Sequence, residues 1–256
     1  MTHGPYPGTQ AVLRAVSLLR AFTDAQPKWG LTELARTLGL NKTTTYRLLT
    51  ALESEGMLMR SPDADTYRLG PQAIALGARA LRSNDLRSAS HAELDALAQA
   101  TGETTTLEVL VGGSVLILDE VAGHHLLGSM QFIGTQWPAH ATSAGKVLLA
   151  ELSESERRAI IRSPLARLTD KTITRRVGLR EELARVREQG YATAIEELEA
   201  GYVAVGAPVR NHEGCAVAAI SIGGPSIRLT GDRIAELAAQ VRQAADRISR
   251  KLGFSQ

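Results

Sequence analysis

The sequence predicts an α+β protein in two parts: a small, mostly helical head and a larger body in which an antiparallel sheet is interleaved with separate helices. Three observations predict it. Residues 31–70 read as helix, tight turn, second helix and two-stranded ribbon. From residue 104 onward, strand runs and helices follow one another without the regular strand–helix alternation of a doubly wound nucleotide fold. Charge divides the chain as well: residues 1–82 hold ten Lys/Arg against six Asp/Glu, a net +4, and the remainder is −2. A modestly basic head on a slightly acidic body suits a nucleic-acid module joined to something that is not one.

The head reads in order as follows. Val12, Ala15, Val16, Leu19 and Phe22 form an amphipathic stripe, so a first helix braces the next two, and residues 24–27 (Asp-Ala-Gln-Pro) break it. Thr32 is the expected cap of a second helix that places Leu34, Ala35 and Leu38 on one side and stops at Gly39. Asn41 caps the third, whose Thr45, Leu48, Leu49 and Leu52 face inward. The opposite side carries Lys42, Thr43, Thr44, Tyr46, Arg47 and Thr50, donors and acceptors long enough to reach base edges and phosphates in a major groove. Gly56 ends that helix. Residues 57–70 then alternate about a Ser-Pro-Asp-Ala-Asp turn as a wing does, with Arg60 and Arg68 placed for the DNA backbone. A purely structural helix pair would not need the polar run from Lys42 to Arg47. The head is therefore read as a winged helix-turn-helix that binds DNA.

Pro71 opens a further helix with Ile74, Gly77, Ala78 and Leu81 on one side, where small residues admit a partner helix. It is read as a linker that also dimerises. The expected domains are 1–70 for DNA binding, 71–84 for the linker and 85–256 for the body. In the body, 91–101 reads as a helix ended by Gly102, and 104–111 with 114–121 as a hairpin across Gly112-Gly113. Shorter strands are expected at 126–132 and 136–139, and helices at 143–150, 153–161 and 179–189, the last ended by Gly190. Strands recur at 191–196, 202–209 and 216–222. A final helix carries Ile234, Leu237, Ala238, Val241, Ala245, Ile248 and Leu252 on one stripe.

Composition narrows the function classes. At 256 residues, 44% hydrophobic and 22% charged, the chain reads as globular, and no apolar run approaches the ~20 residues of a membrane helix. The first ten residues lack the basic and apolar regions of a signal peptide, so the cytoplasm is the expected compartment. The single cysteine, Cys215, excludes an intrachain disulfide, and its apolar surroundings suggest a buried structural thiol. Gly145-Lys146 is not a phosphate loop, because His140 stands where the first glycine is needed. The glycines at 201, 206, 223 and 224 do not make a dinucleotide fingerprint. His124-His125 lacks a third metal ligand and reads as a solvated turn. Glu196, Glu197 and Glu199 read as a solvated acidic loop unless one of them faces inward. No nucleophile–base pair is visible; no catalytic residue, metal or cofactor is expected.

The segment 138–146, Pro-Ala-His-Ala-Thr-Ser-Ala-Gly-Lys, is more telling. A strand that ends in a Thr/Ser-rich turn and opens a helix leaves backbone N–H groups at Ser143, Ala144 and Gly145 for a carboxylate or phosphate. An ordinary helix capped by Thr142 or Ser143 is the alternative.

Together these stretches resemble the IclR family of bacterial transcriptional regulators over nearly the whole chain. The resemblance rests on AVLRAVSLLRAF, LTELARTLGLNKTTTYRLLTALESEG, the closing YRLG, PAHATSAGKVLLA, and GYATAIEELEAGYVAVGAPVRNHEG followed by AISIGGP, all in the family's order. It implies a winged-helix DNA domain, a linker helix and a GAF-like effector domain. It also implies homodimers or homotetramers on a palindromic operator, responsive to a small molecule that is often a catabolic acid. Effector contacts are implied at Ser143, Ala144, Ala194, Tyr202, Ala204, Ser221 and Gly223. With Gly145 completing the helix start, an organic acid would set its carboxylate there, use Ser221 as a second polar contact, and lay its body against Met130, Ala194, Tyr202 and Ala204. Some relatives place Asp and Cys where this chain has Ala194 and Ala204, and a serine where it has Gly223. The expectation is a pocket that has lost polar groups and gained room, suited to an aromatic or medium-chain acid rather than glyoxylate.

The leading reading is a ligand-responsive transcriptional regulator of a catabolic operon. A constitutive DNA binder whose body only oligomerises, and an enzyme with a vestigial helix-turn-helix, remain the alternatives.

Overall fold

The computed structural model describes residues 9–61, 65–125, 133–161 and 164–255. It divides into two compact units, Met1–Ser83 and Asn84–Gln256.

The first unit holds α1 (Gln10–Arg20), β1 (Trp29–Gly30), α2 (Leu31–Thr37), α3 (Lys42–Ser54), β2 (Leu58–Arg60), β3 (Thr66–Leu69) and α4 (Pro71–Arg82). Its core is Leu18, Phe22, Leu34, Leu49, Leu58 and Tyr67. Only the end of α1 reaches that core. Leu18 is fully buried, whereas Val12 and Val16 of the expected stripe are 64% and 48% exposed. Periodicity identifies an apolar face of α1, but among the described residues of this unit nothing covers its first two turns. Gly30, not Thr32, caps α2: extended β1 delivers the chain at Gly30, and Thr32 lies exposed inside the first turn. The ribbon has a third strand, since Trp29 and Gly30 pair with Tyr67 and Thr66. The Trp29 indole N–H also donates to the Ala21 carbonyl, 2.9 Å away. Two residues are too few for a period-2 signal, so β1 is silent in the sequence.

The second unit is built on a six-stranded sheet. Its elements are α5 (Asp85–Thr101), β4 (Thr104–Val111), β5 (Ser114–Val121), β6 (Gln136–Pro138), a 3-10 turn (Ala139–Ala141), α6 (Ser143–Glu151), α7 (Glu154–Ile160), α8 (Arg176–Gln189), β7 (Ala192–Ile195), β8 (Tyr202–Arg210), β9 (Ala216–Pro225) and α9 (Gly231–Lys251). The strand order is β6-β5-β4-β9-β8-β7, antiparallel throughout. The expected strand at 126–132 lies outside the described residues.

Alternation gives the sheet two faces. One face presents Leu107, Val203, Val205, Ile220 and Ile222 to α5 and α9, whose Leu94, Leu97, Leu237, Val241 and Ile248 complete the larger core. On the other face, cross-strand partners Thr106, Ser221 and Gly206, and Ala194, Ala204 and Gly223, share one side. Toward that side α6 and α8 bring Val147, Leu148, Leu183 and Val186 into a second core.

Cys215 corrects an expectation: it is exposed. The run Cys215–Ile220 is apolar, but Cys215 still belongs to the β8–β9 turn. Its N–H donates to Asn211 Oδ1 at 3.0 Å, and full burial begins only at Ala218.

Candidate functional site

Two surfaces carry chemistry, one in each unit. In the first, Asn41 Oδ1 accepts the Thr44 N–H at 2.7 Å and starts α3. The Thr45 hydroxyl donates to the Asn41 carbonyl at 3.1 Å, so this polar side chain is fully buried yet satisfied. With Thr45 and Leu49 fixed inward, Lys42, Thr43, Tyr46, Arg47 and Thr50 are exposed together, and Thr44 is half-buried beneath its cap. Tyr46 is 54% exposed, far more than packing requires. A polar, cationic helix face exposed from its first turn suits insertion into a major groove. On the wing, Arg68 faces solvent, while Arg60 is already paired with Asp65, and that contact raises its pKa further.

In the second unit, α6 begins at the polar face of the sheet. Gly145 is obligatory there, because a Cβ would lie 2.2 Å from the Ala139 carbonyl oxygen. Thr142 caps the helix by accepting the Gly145 N–H at 3.0 Å. The helix start is therefore only partly free: Gly145 is taken, leaving the N–H groups of Ser143 and Ala144. Beneath them lies Gly206, where a Cβ would come 3.1 Å from both the Ala144 nitrogen and Ser143 Oγ.

A cavity of ≈ 10 Å³ opens here, lined by Ser143, Ala194, Tyr202, Ala204 and Ser221 together with Glu108, Trp137, Ala141, Thr142 and Leu198. Ala144, Gly145 and Gly223 are adjacent but do not line it, and Met130 lies outside the described residues. Space for about one water molecule corrects the expectation of a roomy pocket. Tyr202 is the reason: a Cβ on Gly223 would sit 1.8 Å from Tyr202 Oη, so the ring occupies what the glycine vacates. The cavity also carries a carboxyl group. Glu108 is buried, and its Oε1 lies 2.8 Å from the Thr106 hydroxyl and 2.9 Å from that of Ser221. A register shift in the β4–β5 pairing falls at Leu107/Glu108, the kind of irregularity that re-aims a side chain. In sequence, Glu108 stands two residues after Thr106 in a strand of period 2, which was the available signal.

The acidic loop is corrected too. Glu197 is buried, and Lys146, fully buried on α6, donates to Glu197 Oε1 at 2.6 Å and to Glu182 Oε1 at 3.0 Å. Burial pushes the Glu197 carboxyl up while Lys146 pulls it back; on Glu182 burial is outweighed by Lys146 and Arg185, and its pKa falls. The lysine that does not serve a phosphate loop is instead the charge that ties α6, α8 and the segment after β7 together. No group of three metal-ligating side chains occurs among the described residues.

The comparisons follow this division. Residues 11–62 match the IclR helix-turn-helix domain, and residues 78–250 match the bacterial transcriptional regulator IclR C-terminal domain. The chain belongs to the IclR family. It is 34% identical to the HTH-type transcriptional regulator XynR of Escherichia coli (strain K12), over 97% of this chain and 99% of that one. A crystal structure of an IclR transcriptional regulator from Silicibacter sp. TM1040 superposes with a TM-score of 0.86 at 30% identity, covering 96% of this chain and 97% of that one. An IclR homolog from Microbacterium hydrocarbonoxydans, solved with 4-hydroxybenzoate, gives a TM-score of 0.78 at 27% identity, covering 95% and 99%. This IclR-family chain is thus a DNA-binding transcriptional regulator. Among its described residues, no helix is long and apolar enough to cross a membrane.

Proposed function

We propose that this regulator reads a palindromic operator with α3 and changes its affinity when a small organic acid enters the cavity under α6. The carboxylate meets the N–H groups of Ser143 and Ala144 at the positive end of α6, with Ser221 as second polar contact. The apolar body lies against Ala194, Tyr202 and Ala204. The observation that carries this reading is the polar-lined cavity at a helix start whose first two N–H groups are left by the Thr142 cap. The Microbacterium relative's 4-hydroxybenzoate supports an aromatic acid over a two-carbon one. Because the cavity holds about one water, binding requires Tyr202 to swing away. The same closure favours a second reading, a constitutive DNA binder whose body only assembles copies.

On DNA, Lys42, Thr43, Thr44, Tyr46 and Arg47 form the reading surface and Arg68 holds the backbone, with Arg60 joining when it leaves Asp65. Two heads on a two-fold operator call for a homodimer through α4 (residues 71–84 acting as linker), pairing into tetramers through residues 85–256. The protein works in the cytoplasm on a catabolic operon. In gel-shift titrations, Arg47→Ala should lose about 1–3 kcal/mol on operator and relax one base pair. Ala204→Phe should keep operator binding but lose the response to an aromatic acid. Wild-type affinity for DNA in Arg47→Ala, or a thermal shift produced only by two- and three-carbon acids, overturns the respective half.

A further inference from the structure

Two residues that line the cavity, Glu108 and Ser221, form a closed triangle of oxygens with Thr106. Glu108 Oε1 is 2.8 Å from Thr106 Oγ1 and 2.9 Å from Ser221 Oγ, and the two hydroxyls are 2.7 Å apart. Each side of the triangle is a hydrogen-bond distance, so three protons are needed. Thr106 and Ser221 supply one each. With an ionised Glu108 one side would be a bare oxygen–oxygen contact; with a proton on Oε1 all three sides are hydrogen bonds running in one direction around the ring. Oε2 then remains outside the triangle as a carbonyl-type acceptor on a residue that lines the cavity.

The surroundings agree. Among the described residues no Lys, Arg or His pairs with Glu108. His140, on the 3-10 turn, is bound to the Ala166 carbonyl at 2.9 Å, and Lys146 on α6 is held by Glu182 and Glu197. Tyr202 from β8 is a phenol, the facing positions of β9 are Ala219 and Ser221, and β5 contributes Glu120, another acid, opposite Thr106. Burial pushes the Glu108 carboxyl up, outweighing the two hydroxyls.

We propose that Glu108 is held as a neutral carboxylic acid and selects effectors that carry a hydroxyl group, which donates to its Oε2 while the effector's own carboxylate lies at the start of α6. This rests on the organic-acid reading above and narrows it to hydroxylated acids; Ser221, its one proton committed to the triangle, offers the effector a lone pair and no longer a donor for the carboxylate. A simple acid would leave Oε2 unmatched in a desolvated site.

Two measurements on the full chain test it. The first needs no ligand: thermal unfolding of wild type and Glu108→Gln from pH 5 to 9. An acid neutral when folded but ionised when unfolded stabilises at low pH and loses that contribution as pH rises. The unfolding constant of wild type relative to the amide should therefore grow by up to tenfold per pH unit above about 4.3 until the folded acid itself ionises. Glu108→Leu should show the same divergence and guards against a folding defect peculiar to the amide. Parallel curves overturn the neutral acid. The second compares benzoate with 3- and 4-hydroxybenzoate by calorimetry. Wild type should prefer a hydroxylated probe by about tenfold, one good hydrogen bond, and Glu108→Leu should lose that preference. Equal binding of all three by wild type overturns the selection and leaves the organic-acid reading standing. Binding of none overturns both, while the unfolding curves still decide the protonation.

Discussion

The two faces of the six-stranded sheet are made by the same strands and do opposite work. Toward α5 and α9 the central positions of β8 and β9 are aliphatic: Val203, Val205, Ile220 and Ile222 are all at most 1% exposed. One residue along the same strands, the other face carries Ala204, Gly206, Ser221 and Gly223, small or polar, with Thr106 and Glu108 beside them on β4. The first face is dry and packed to side-chain density. The second approaches α6 backbone to backbone and fills what remains with Tyr202 and hydrogen-bonded polar groups. Period-2 alternation thus lets one sheet present an aliphatic core on one side and the floor of a polar-lined cavity on the other.

The contrast is broken most severely through Lys146. Removing it leaves Glu197 without its cation in the interior and Glu182 with Arg185 alone, and Lys146→Met should cost about 3–5 kcal/mol in urea unfolding. Replacing all three by apolar residues should recover most of that, because a buried ion pair contributes little net stability against well-packed side chains. On the dry face, Ile220→Ala should cost about 2–5 kcal/mol through the lost transfer energy and the cavity left against α9. It should not alter ligand binding. Gly223→Ser, on the opposite face, places a Cβ in the Tyr202 hydroxyl. We expect a loss of about 1–3 kcal/mol, largely rescued when Tyr202→Ala is added. An equal cost in the single and double variants would mean that Tyr202 is not what fills the pocket.

How much of this was legible follows the same division. Elements with local signals were read directly: Asn41 caps α3, and Gly102 and Gly190, both at positive φ, end α5 and α8. The apolar face of the sheet was legible from alternation, as was the stripe of α9. What failed was whatever depended on a partner distant in sequence. Val12 and Val16 show the period of a buried helix face, but a period names a face and not what covers it. Lys146, Glu182 and Glu197 are residue types that normally seek water, and only the fold brings both carboxylates within 3.0 Å of the lysine ammonium. The pocket's volume was misjudged for the same reason. Gly223 was counted as space gained, while the ring that takes the space is attached twenty-one residues earlier, on the neighbouring strand.

The finest contrast lies between two helix starts with the same capping chemistry. Thr142 accepts the Gly145 N–H at the buried start of α6, and Ser153 accepts the Glu156 N–H, at 3.3 Å, at the exposed start of α7. Ser153 also belongs to a capping box, since Glu156 returns a carboxylate oxygen to the Ser153 N–H at 2.8 Å. Counting bonds alone, α7 has more to lose. Solvent decides otherwise. When Ser153→Ala opens its cap, water replaces the hydroxyl, and the cost should be about 0.5 kcal/mol. When Thr142→Ala opens the other, the Gly145 N–H is left in the interior, and the cost should be about 1–2 kcal/mol. Thr142→Ser should restore the loss by returning the oxygen without the methyl. Chemical denaturation of the three variants checks the order. If Ser153→Ala proved as costly as Thr142→Ala, burial at the start of α6 would not be what gives its cap its weight. The N–H groups next to it would then have no special claim on a ligand.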